Sequence, residues 1–483
     1  MSNLVNDWLT KHADNPAVVW QWRDGSITFG HASRQIKCLA GAFHDQGVRA
    51  RDRVLTSMQD GPDIGVTLLA LWVLGAVPVI ISPMLPVDEI VKDAQRASCV
   101  WAAVDFDTQI PILRLDHKVP QCPSNDPVLS TAAPVYMYNS HDEFLIQGTS
   151  GTSGRNKLAV HGYDGLCGME QGWRYLELGP GARLYSSMRM TFGFGLQMSV
   201  ICPWIFGSTH VIDRGAMSIK AVPDIVDQQG ITHLLLLPNI LKALLRHDRK
   251  FGANLHWFGV GSEPMDLTTS QLCEQKLGRR VKNQYGCSEH MGVLFVNDDP
   301  TWCPTSIGRA NEQILDLRLI DEQGREVHKG GTGQLWMRLK TMAQYYLGDS
   351  DTTNYTFRDG WLVTRDIVRH NPDGSYSLIG RDDSNVKIGG QWINIHVVEQ
   401  LIESVPGVAE CITVIHENQL KSFVTVCETF TVTEQDIYQH IYKCTRNPHM
   451  NPQQIFFVDS LPTTSTLKRT RNVQAFIDLM RQT

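Results

Sequence analysis

The chain is 483 residues long, with 42% hydrophobic and 19% charged residues, so it is neither disordered nor fibrous and should form roughly two to four domains. Its formal net charge of −6 argues against the broad basic surface of a nucleic-acid-binding protein. The 11 cysteines stand singly, without the paired spacing of a zinc site, so we expect reduced thiols.

The apolar segments predict neither secretion nor a membrane span. Residues 1–16 lack the basic start and apolar core of a signal peptide. The most apolar run, VTLLALWVLGAVPVIISP at 66–83, is broken by Gly and Pro, which predicts a buried helix leading into a buried strand. We therefore expect a cytoplasmic protein.

Residues 17–100 and 161–300 alternate short apolar strands with helical patterns. AVVWQW and SITFG predict a hairpin, and THLLLLP followed by ILKALLRH predicts a strand and then a helix. Strands that alternate with helices predict a largely parallel sheet covered on both faces. The predicted fold class is therefore α/β.

After about residue 300 the pattern changes to short alternating strands such as GQLWMRL, which predict a small antiparallel barrel or sheet. From residue 383 the helices and strands predict a compact α+β unit. We thus expect a large N-terminal domain at 1–382, with a β-rich subdomain at 301–382, and a small mobile C-terminal domain at 383–483.

The segment GTSGTSGRNK, residues 148–157, combines glycines, hydroxyl side chains and two cations. Such a run is either a surface linker or a phosphate cradle, in which backbone N–H groups and hydroxyls donate to an anion and Lys neutralises it. It does not match the Walker pattern G-x-x-x-x-G-K-[ST]. On this segment alone both interpretations stay open.

Four later segments contain candidate site residues: NQYGCSEH (283–290), GWLVTRD (360–366), GRDDSNVKIGGQW (380–392) and LPTTSTLKRTRN (461–472). The first follows a predicted strand, where α/β sheets bind ligands. Taken singly, each also fits an ordinary strand exit, a surface acid, a charged turn or a solvated tail. In this order, and with GSEP at 261–264, they resemble the acyl-adenylate-forming superfamily of acyl-CoA synthetases, aryl-CoA ligases and peptide-synthetase adenylation domains.

The resemblance covers essentially the whole chain and implies a nucleotide site. It assigns the ATP phosphates, and pyrophosphate as it leaves, to a loop made of Thr149, Ser150, Gly151, Thr152, Ser153, Gly154, Arg155 and Lys157. It assigns the adenine side to Gly261, Ser262, Glu263 and Tyr285, the ribose hydroxyls to Asp366, and ribose or phosphate to Arg381.

The resemblance also implies catalytic roles. Ser288 should contact the α-phosphate, and Lys468 falls on the family's catalytic lysine. Glu289 should coordinate Mg²⁺, since a hard cation that bridges phosphates prefers carboxylate oxygen. Cys287 falls at the motif's variable position, and we expect no nucleophilic role for it.

Domain rotation between two reaction steps is implied as well. Asp383 should be the hinge, and Gly389, Gly390 and Trp392 belong to the loop that reaches the site in the thioester-forming arrangement. An aromatic residue at the place of Trp392 resembles aryl-CoA ligases.

The chain departs from the family pattern at several positions. Arg155 replaces a Lys, Asn156 a Pro, and Leu158, Arg365 and Leu467 each replace a Gly. Arg155 keeps the cation, whereas Leu158, Arg365 and Leu467 leave open a catalytically weakened, nucleotide-binding relative.

The run SMRMTFGFG, residues 187–195, lies where the family lines its acyl pocket, which assigns Met190, Phe192, Phe194 and Gly195 to that pocket. These side chains can equally be core. The run lacks the Asp that pairs with the ammonium group in amino-acid-activating relatives. An aromatic acid is the first choice and a medium or long fatty acid the second. Arg189 could read a ring substituent or be structural.

The implied reaction uses ATP and Mg²⁺ to convert a small carboxylic acid into an acyl-adenylate, with release of pyrophosphate. The acyl group then passes to the thiol of coenzyme A or of the phosphopantetheine on an acyl carrier protein. An amide ligase or oxidase of the same fold stays open, as does the choice between monomer and homodimer.

Overall fold

The structure is a computed structural model. It describes residues 1–104, 133–149, 157–213, 219–247, 249–263, 265, 267–297, 306–382, 385–388, 391–417, 419–427, 430–462 and 473–480. In that part of the chain, no helix has both the length and the apolar character needed to cross a membrane.

The first 213 residues contain seven α-helices and nine strands among the described residues. The helices are α1 (Leu4–Lys11), α2 (Phe29–Asp45), α3 (Pro62–Leu74), α4 (Val87–Arg96), α5 (Tyr163–Trp173), α6 (Gly193–Leu196) and α7 (Cys202–Phe206), and a π-helical turn, Gln197–Ile201, joins the last two. The strands are β1 (Val18–Trp22), β2 (Gly25–Thr28), β3 (Arg53–Ser57), β4 (Val77–Ile80), β5 (Trp101–Val104), β6 (Glu143–Thr149), β7 (Lys157–Gly162), β8 (Arg183–Ser186) and β9 (Thr209–Val211).

The described part of residues 219–382 continues with helices and then mostly strands. The helices are α8 (Val222–Gln228), α9 (Pro238–Leu245), α10 (Leu267–Leu277) and α11 (Ser350–Thr356). The strands are β10 (His233–Leu236), β11 (Trp257–Gly261), β12 (Lys282–Tyr285), β13 (Phe295–Val296), β14 (Ser306–Ala310), β15 (Ile314–Ile320), β16 (Thr332–Leu339), β17 (Tyr345–Tyr346), β18 (Phe357–Arg358), β19 (Trp361–His370) and β20 (Tyr376–Arg381).

The C-terminal residues form a small α+β unit. Its described elements are β21 (Asn385–Ile388), β22 (Gln391–Asn394), α12 (Ile395–Glu403), β23 (Val408–His416), β24 (Gln419–Val426), α13 (Glu434–Thr445), β25 (Gln454–Phe457) and α14 (Val473–Met480). Lys242 of α9 forms an ion pair with Glu403 of α12, with 3.7 Å between Nζ and Oε2, so the unit contacts the preceding part of the chain.

Local sequence explains where individual helices begin and end. The Asn3 and Thr28 side chains accept hydrogen bonds from the first turns of α1 and α2, which are ordinary N-caps. Helix α3 is apolar on all sides and buried, as expected for residues 66–74, and it ends at Gly75 with φ of 76°. The predicted helix-to-strand passage at 66–83 is confirmed.

Two sheets organise the N-terminal part. One has the strand order β17-β7-β6-β4-β3-β5, and the other runs through β12-β11-β10-β8-β9-β1-β2. Strands β8, β10, β11 and β12 are mutually parallel, and helices pack against the sheet, which confirms the predicted α/β class.

The β-rich segment is antiparallel, as expected. It also continues the second sheet, because β13 pairs with both β12 and β14, and β14 with β20. Strand β17 leaves this segment and pairs with β7 of the first sheet instead. The two residues of β17 therefore connect the β-rich segment to the strand that follows the predicted phosphate loop.

Candidate active site

The carboxyl ends of parallel strands bring several predicted segments to one edge of the second sheet. Strand β11 ends at Gly261 and β12 at Tyr285, and the two strands are parallel neighbours. Ser262 has a left-handed φ of 73°, so the chain turns at once after β11. This edge is where open α/β sheets bind ligands.

Three predicted nucleotide residues form one hydrogen-bonded cluster. The Tyr285 hydroxyl donates to Asp366 Oδ2 at 2.5 Å, although the two residues are 81 positions apart in the chain. Arg381 Nη1 lies 3.3 Å from Asp366 Oδ1, because Asp366 and Arg381 face each other across β19 and β20. Burial and the Asp366 charge raise the pKa of Tyr285, so its hydroxyl remains a donor. The carboxylate of Asp366 is thereby held in place by two side chains.

Glu289 is held by a residue that the motifs do not include. The Tyr346 hydroxyl donates to Glu289 Oε1, and burial together with the Glu289 charge raises the pKa of Tyr346. Lys157 Nζ lies 5.3 Å from the centre of the Tyr346 ring, within cation–π range. Tyr346 therefore contacts both the predicted metal ligand and the last residue of the predicted phosphate loop.

The donor set near Glu289 fits a magnesium ion that takes most of its ligands from phosphates and water. Among the described residues, no group of three or more His, Cys, Asp or Glu side chains is placed to hold a metal. Magnesium in phosphate sites commonly uses only one or two carboxylates. Tyr346 is neutral, so its hydrogen bond orients Glu289 without cancelling its charge.

A buried histidine supports the turn that carries Ser288. His161 Nε2 lies 2.9 Å from the Ser288 carbonyl oxygen, which requires the proton on Nε2. Burial lowers the pKa of His161 to about 4, so the ring is neutral at pH 7. The sequence signal was weak, since a single His in an apolar strand has no distinctive spacing.

Cys287 is an unsuitable nucleophile. Burial and the nearby Glu289 and Asp366 charges raise the pKa of its thiol, which keeps it protonated.

The ends of the predicted phosphate loop form a hairpin. Strands β6 and β7 are antiparallel, with Thr149 opposite Lys157 and Gly148 opposite Leu158. Leu158 is fully buried in the core of the first sheet, so this departure from the family's Gly places an apolar side chain in the core. Residues Ser150, Gly151, Thr152, Ser153, Gly154, Arg155 and Asn156 lie outside the described residues.

The predicted acyl-pocket run lies between the core and the site edge. Met190 is buried in the main hydrophobic cluster, and Phe194 packs edge-on against Trp173 with ring centres 5.1 Å apart. Gly195 is required by a close approach, because a Cβ there would lie 2.0 Å from the Arg189 carbonyl oxygen. Phe192 is half-buried. Core packing thus explains Met190 and Phe194 in part, and pocket lining stays a prediction.

Arg365, the departure beside Asp366, has defined partners. Its guanidinium lies 4.8 Å from the Tyr355 ring centre, and Nη1 is 3.6 Å from Asp382 Oδ1. The Tyr355 hydroxyl also donates to Asp382 Oδ2, at 3.2 Å. Asp382 directly precedes the predicted hinge residue Asp383, so Arg365 helps to fix the chain at that point.

Several predicted residues lie outside the described part of the chain. They are Asp383, Gly389, Gly390, Leu467 and Lys468. Trp392 belongs to β22, which pairs with β21. Their roles stay predictions.

Comparison with known proteins gives matches over most of the chain. Residues 5–347 match the family of AMP-binding enzymes, and residues 397–468 match the AMP-binding enzyme C-terminal domain. The 3-hydroxybenzoate–CoA ligase of Aromatoleum sp. (strain CIB) is 26% identical over 94% of this chain and 92% of its own length. The anthranilate–CoA ligase of Pseudomonas aeruginosa is 24% identical over 98% and 95%.

A solved structure shares the fold. The crystal structure of the anthranilate CoA ligase AuaEII in complex with anthranoyl-AMP superposes with a TM-score of 0.86. It covers 99% of this chain and 98% of that chain at 22% sequence identity. At that identity the likeness establishes the fold, and it confirms the predicted fold class.

The buried His161 should make stability depend on pH. Its folded pKa of about 4 lies below the ordinary 6.5, so the unfolded chain binds a proton first as pH falls. The part of the folding stability that depends on His161 should be present above about pH 6.5 and be lost as the pH falls toward 4. Between pH 7 and pH 5 this loss should be about 2 kcal/mol in the free energy of unfolding. Denaturant unfolding at both pH values should give a smaller loss for His161→Gln, whose amide can still donate to Ser288. An identical pH dependence in both proteins would contradict this assignment.

Proposed function

The chain belongs to the AMP-binding enzyme family and is an AMP-forming acid–thiol ligase, and from this premise we propose that its acid is aromatic and its acceptor coenzyme A. The observation that supports the ATP-dependent activation step is the pair of clusters beside β12. Tyr285, Asp366 and Arg381 form one, and Glu289 with Tyr346 and Lys157 forms the other. The first suits ribose hydroxyls and the second suits phosphates.

The chemistry explains why such groups are needed. A carboxylate is a poor electrophile, so its oxygen first attacks the α-phosphorus of ATP, which gives an acyl-adenylate and pyrophosphate. The thiol then attacks the acyl carbonyl, and AMP leaves with the electron pair of the broken C–O bond. Both transition states concentrate negative charge on oxygen, so the protein has to supply preorganised cations and donors.

Individual residues meet this requirement. Lys157, with Arg155 and the loop amides, would neutralise the β and γ phosphates, and Ser288 would donate to the α-phosphate. Glu289 would hold Mg²⁺, which supplies charge neutralisation at the phosphates when bound. Asp366 would accept from the ribose hydroxyls while Tyr285 and Arg381 hold it in place. Lys468 would stabilise the charge that develops as the acyl-adenylate forms.

Two observations support an aromatic acid. The full-length relatives named above are ligases of hydroxybenzoate and anthranilate. Within this chain, residues 187–195 carry no acidic side chain to receive an amino-acid ammonium group, and the half-buried Phe194, which packs on the buried Trp173, would present a flat apolar ring. A fatty acid as substrate, a carrier protein as acceptor, and a catalytically weakened relative are the alternatives that the assays below separate. We retain the cytoplasm as the expected location.

The proposal predicts acid-dependent exchange of labelled pyrophosphate into ATP, with benzoate-type acids ahead of amino acids and fatty acids. Exchange requires only the first step, so it does not depend on the acceptor. Product analysis with coenzyme A or a phosphopantetheinylated carrier protein then identifies the thiol. Exchange with α-amino acids alone would refute the aromatic assignment, and no exchange with any acid would leave the weakened relative.

Removing the Tyr346 hydroxyl that donates to Glu289 should weaken Mg²⁺ binding without changing the charge of the site. Loss of a group that orients a metal ligand commonly costs about 10–100-fold in metal affinity. Tyr346→Phe should therefore raise the Mg²⁺ concentration for half-maximal exchange at least tenfold, and Glu289→Gln should lower the rate by about 10²–10³.

Tyr345→Phe is the matched control, since the neighbouring phenol donates to Glu143 instead. It should leave the Mg²⁺ dependence unchanged. Equal Mg²⁺ dependence in Tyr346→Phe and wild type would remove Tyr346 from the site.

The two steps should separate at Lys468. If the small domain rotates, Lys468→Ala should abolish acyl-adenylate formation but leave thioester formation from supplied acyl-adenylate nearly intact. Gly390→Leu should do the reverse, because that loop is expected to border the thiol channel. Single-turnover measurements of each step give the answer, and equal damage to both steps by Lys468→Ala would contradict the rotation.

A further inference from the structure

A polar cavity adjoins the predicted acyl-pocket run. It lies at the carboxyl ends of β8 and β9, and Asp60, in the loop between β3 and α3, forms part of its wall. The other wall residues that matter here are Tyr185, Arg189, Met190, Ser199 and His210. Met190 and Arg189 belong to the predicted acyl-pocket run, whereas Tyr185, Ser199 and His210 belong to neither the predicted nucleotide site nor that run.

Several polar atoms in this cavity are buried and have no hydrogen-bond partner among the residues that the structure describes. They are the Tyr185 hydroxyl, the Ser199 hydroxyl, Nε and Nη1 of Arg189, and Nδ1 of His210. Tyr185 is 1% exposed and Ser199 is fully buried. Buried polar groups in native proteins are almost always bonded, so such a concentration around one cavity indicates a polar occupant.

The charges of the wall limit what that occupant can be. Among the described residues that line the cavity, Arg189 is the cation, and its Nη1 lies 3.6 Å from Asp60 Oδ2. Asp60 and Asp213 are the acids, and burial raises the pKa of both. Burial lowers the pKa of His210 to about 3, so it adds no positive charge. With two acids and one base, the wall disfavours a second carboxylate or a phosphate. Since the carboxylates accept hydrogen bonds and the unpartnered Arg189 N–H groups donate them, the wall suits a neutral group that can do both.

The position of the cavity connects it to the acid substrate. The Met190 amide donates to Asp60 Oδ1 at 2.9 Å, so the predicted acyl-pocket run is attached to the cavity wall. Met188 also lines the cavity, and its sulfur lies 3.8 Å from the hydroxyl of Ser262 on the predicted adenine-side loop. The cavity therefore extends from the region where the acyl group would lie.

We propose that this cavity receives a hydroxyl or amino substituent of the acid substrate, with Tyr185 and Ser199 as its hydrogen-bond partners. This inference rests on the proposed function and narrows it from aromatic acids to aromatic acids with a hydrogen-bond-donating substituent. A site built to bond such a group disfavours the analogue that lacks it, because its own polar atoms are then left unpaired.

The test compares benzoate, 3-hydroxybenzoate and 3-aminobenzoate as substrates in pyrophosphate exchange by the full-length protein. Wild type should have the higher kcat/KM with at least one substituted acid. Tyr185→Phe and Ser199→Ala should each lower the ratio of substituted acid to benzoate, by about three- to tenfold. Ser208→Ala is the matched control, since Ser208 is also fully buried with an unpartnered hydroxyl but lies outside the cavity wall.

Other outcomes overturn the inference in distinguishable ways. Exchange with benzoate but an unchanged ratio in both variants would show that water alone fills the cavity, and the proposed function would stand. If Tyr185→Phe and Ser199→Ala raised the KM for coenzyme A in the second step but left the ratio of substituted acid to benzoate unchanged, the cavity would belong to the thiol arm of coenzyme A. No exchange with any acid would overturn the proposed function itself.

Protein folding can be checked independently of activity. Tyr185→Phe removes one hydroxyl that has no partner, so its Tm should equal or exceed that of wild type. In a thermal-shift assay with ATP present, 3-hydroxybenzoate should stabilise wild type more than benzoate does, and Tyr185→Phe should reduce that difference. Equal shifts by both acids in wild type would overturn the inference without reference to catalysis.

Discussion

The arrangement of the site depends on a hydrogen bond from a phenol that has to stay protonated. Tyr346 comes from the two-residue strand β17, which joins the first sheet, and Glu289 follows β12 of the second sheet. The bond therefore joins the two sheets at the place where phosphates would lie. A cation in the place of Tyr346 would also hold Glu289, but it would compete with the metal for the carboxylate. A neutral donor avoids that competition.

The same principle recurs around the site. His161 is kept neutral by burial and supports the Ser288 carbonyl, and Tyr285 is a buried neutral donor to Asp366. Glu289, the Ser288 turn and Asp366 are thus each oriented by an uncharged donor, and Asp366 is held in addition by the charged Arg381. A neutral hydrogen-bond donor adds little electrostatic potential of its own. The charged side chains that face the ligand therefore keep most of their electrostatic interaction with it.

Sequence patterns predicted most of the fold, because strand–helix alternation is a local property. Motif order supplied the candidate site segments, and their roles stay predictions. The patterns did not identify Tyr346, since a two-residue strand has no periodicity and its partner Glu289 lies 57 positions away. They also gave no account of Leu158 or Arg365. Leu158 is explained by the face of β7 that it occupies, and Arg365 by Tyr355 and Asp382, which only the tertiary structure brings near it. The loops at 150–156 and 463–472 lie outside the described residues, so their predicted roles rest on motif resemblance.

Arg365 has a consequence for how the two domains communicate. Neighbouring residues on β19 contact neighbouring residues at the end of β20: Asp366 pairs with Arg381, and Arg365 with Asp382. A ribose bound to Asp366 would therefore bear on the same short stretch of chain that leads into the small domain. If the orientation of the small domain changes the position of Asp382, it should also change the affinity of the site for the nucleotide. By thermodynamic reciprocity, nucleotide binding would then favour one orientation by the same factor. The Gly usual at this position in the family has no side chain with which to make this connection, so in this chain nucleotide occupancy and small-domain orientation would be coupled through Arg365.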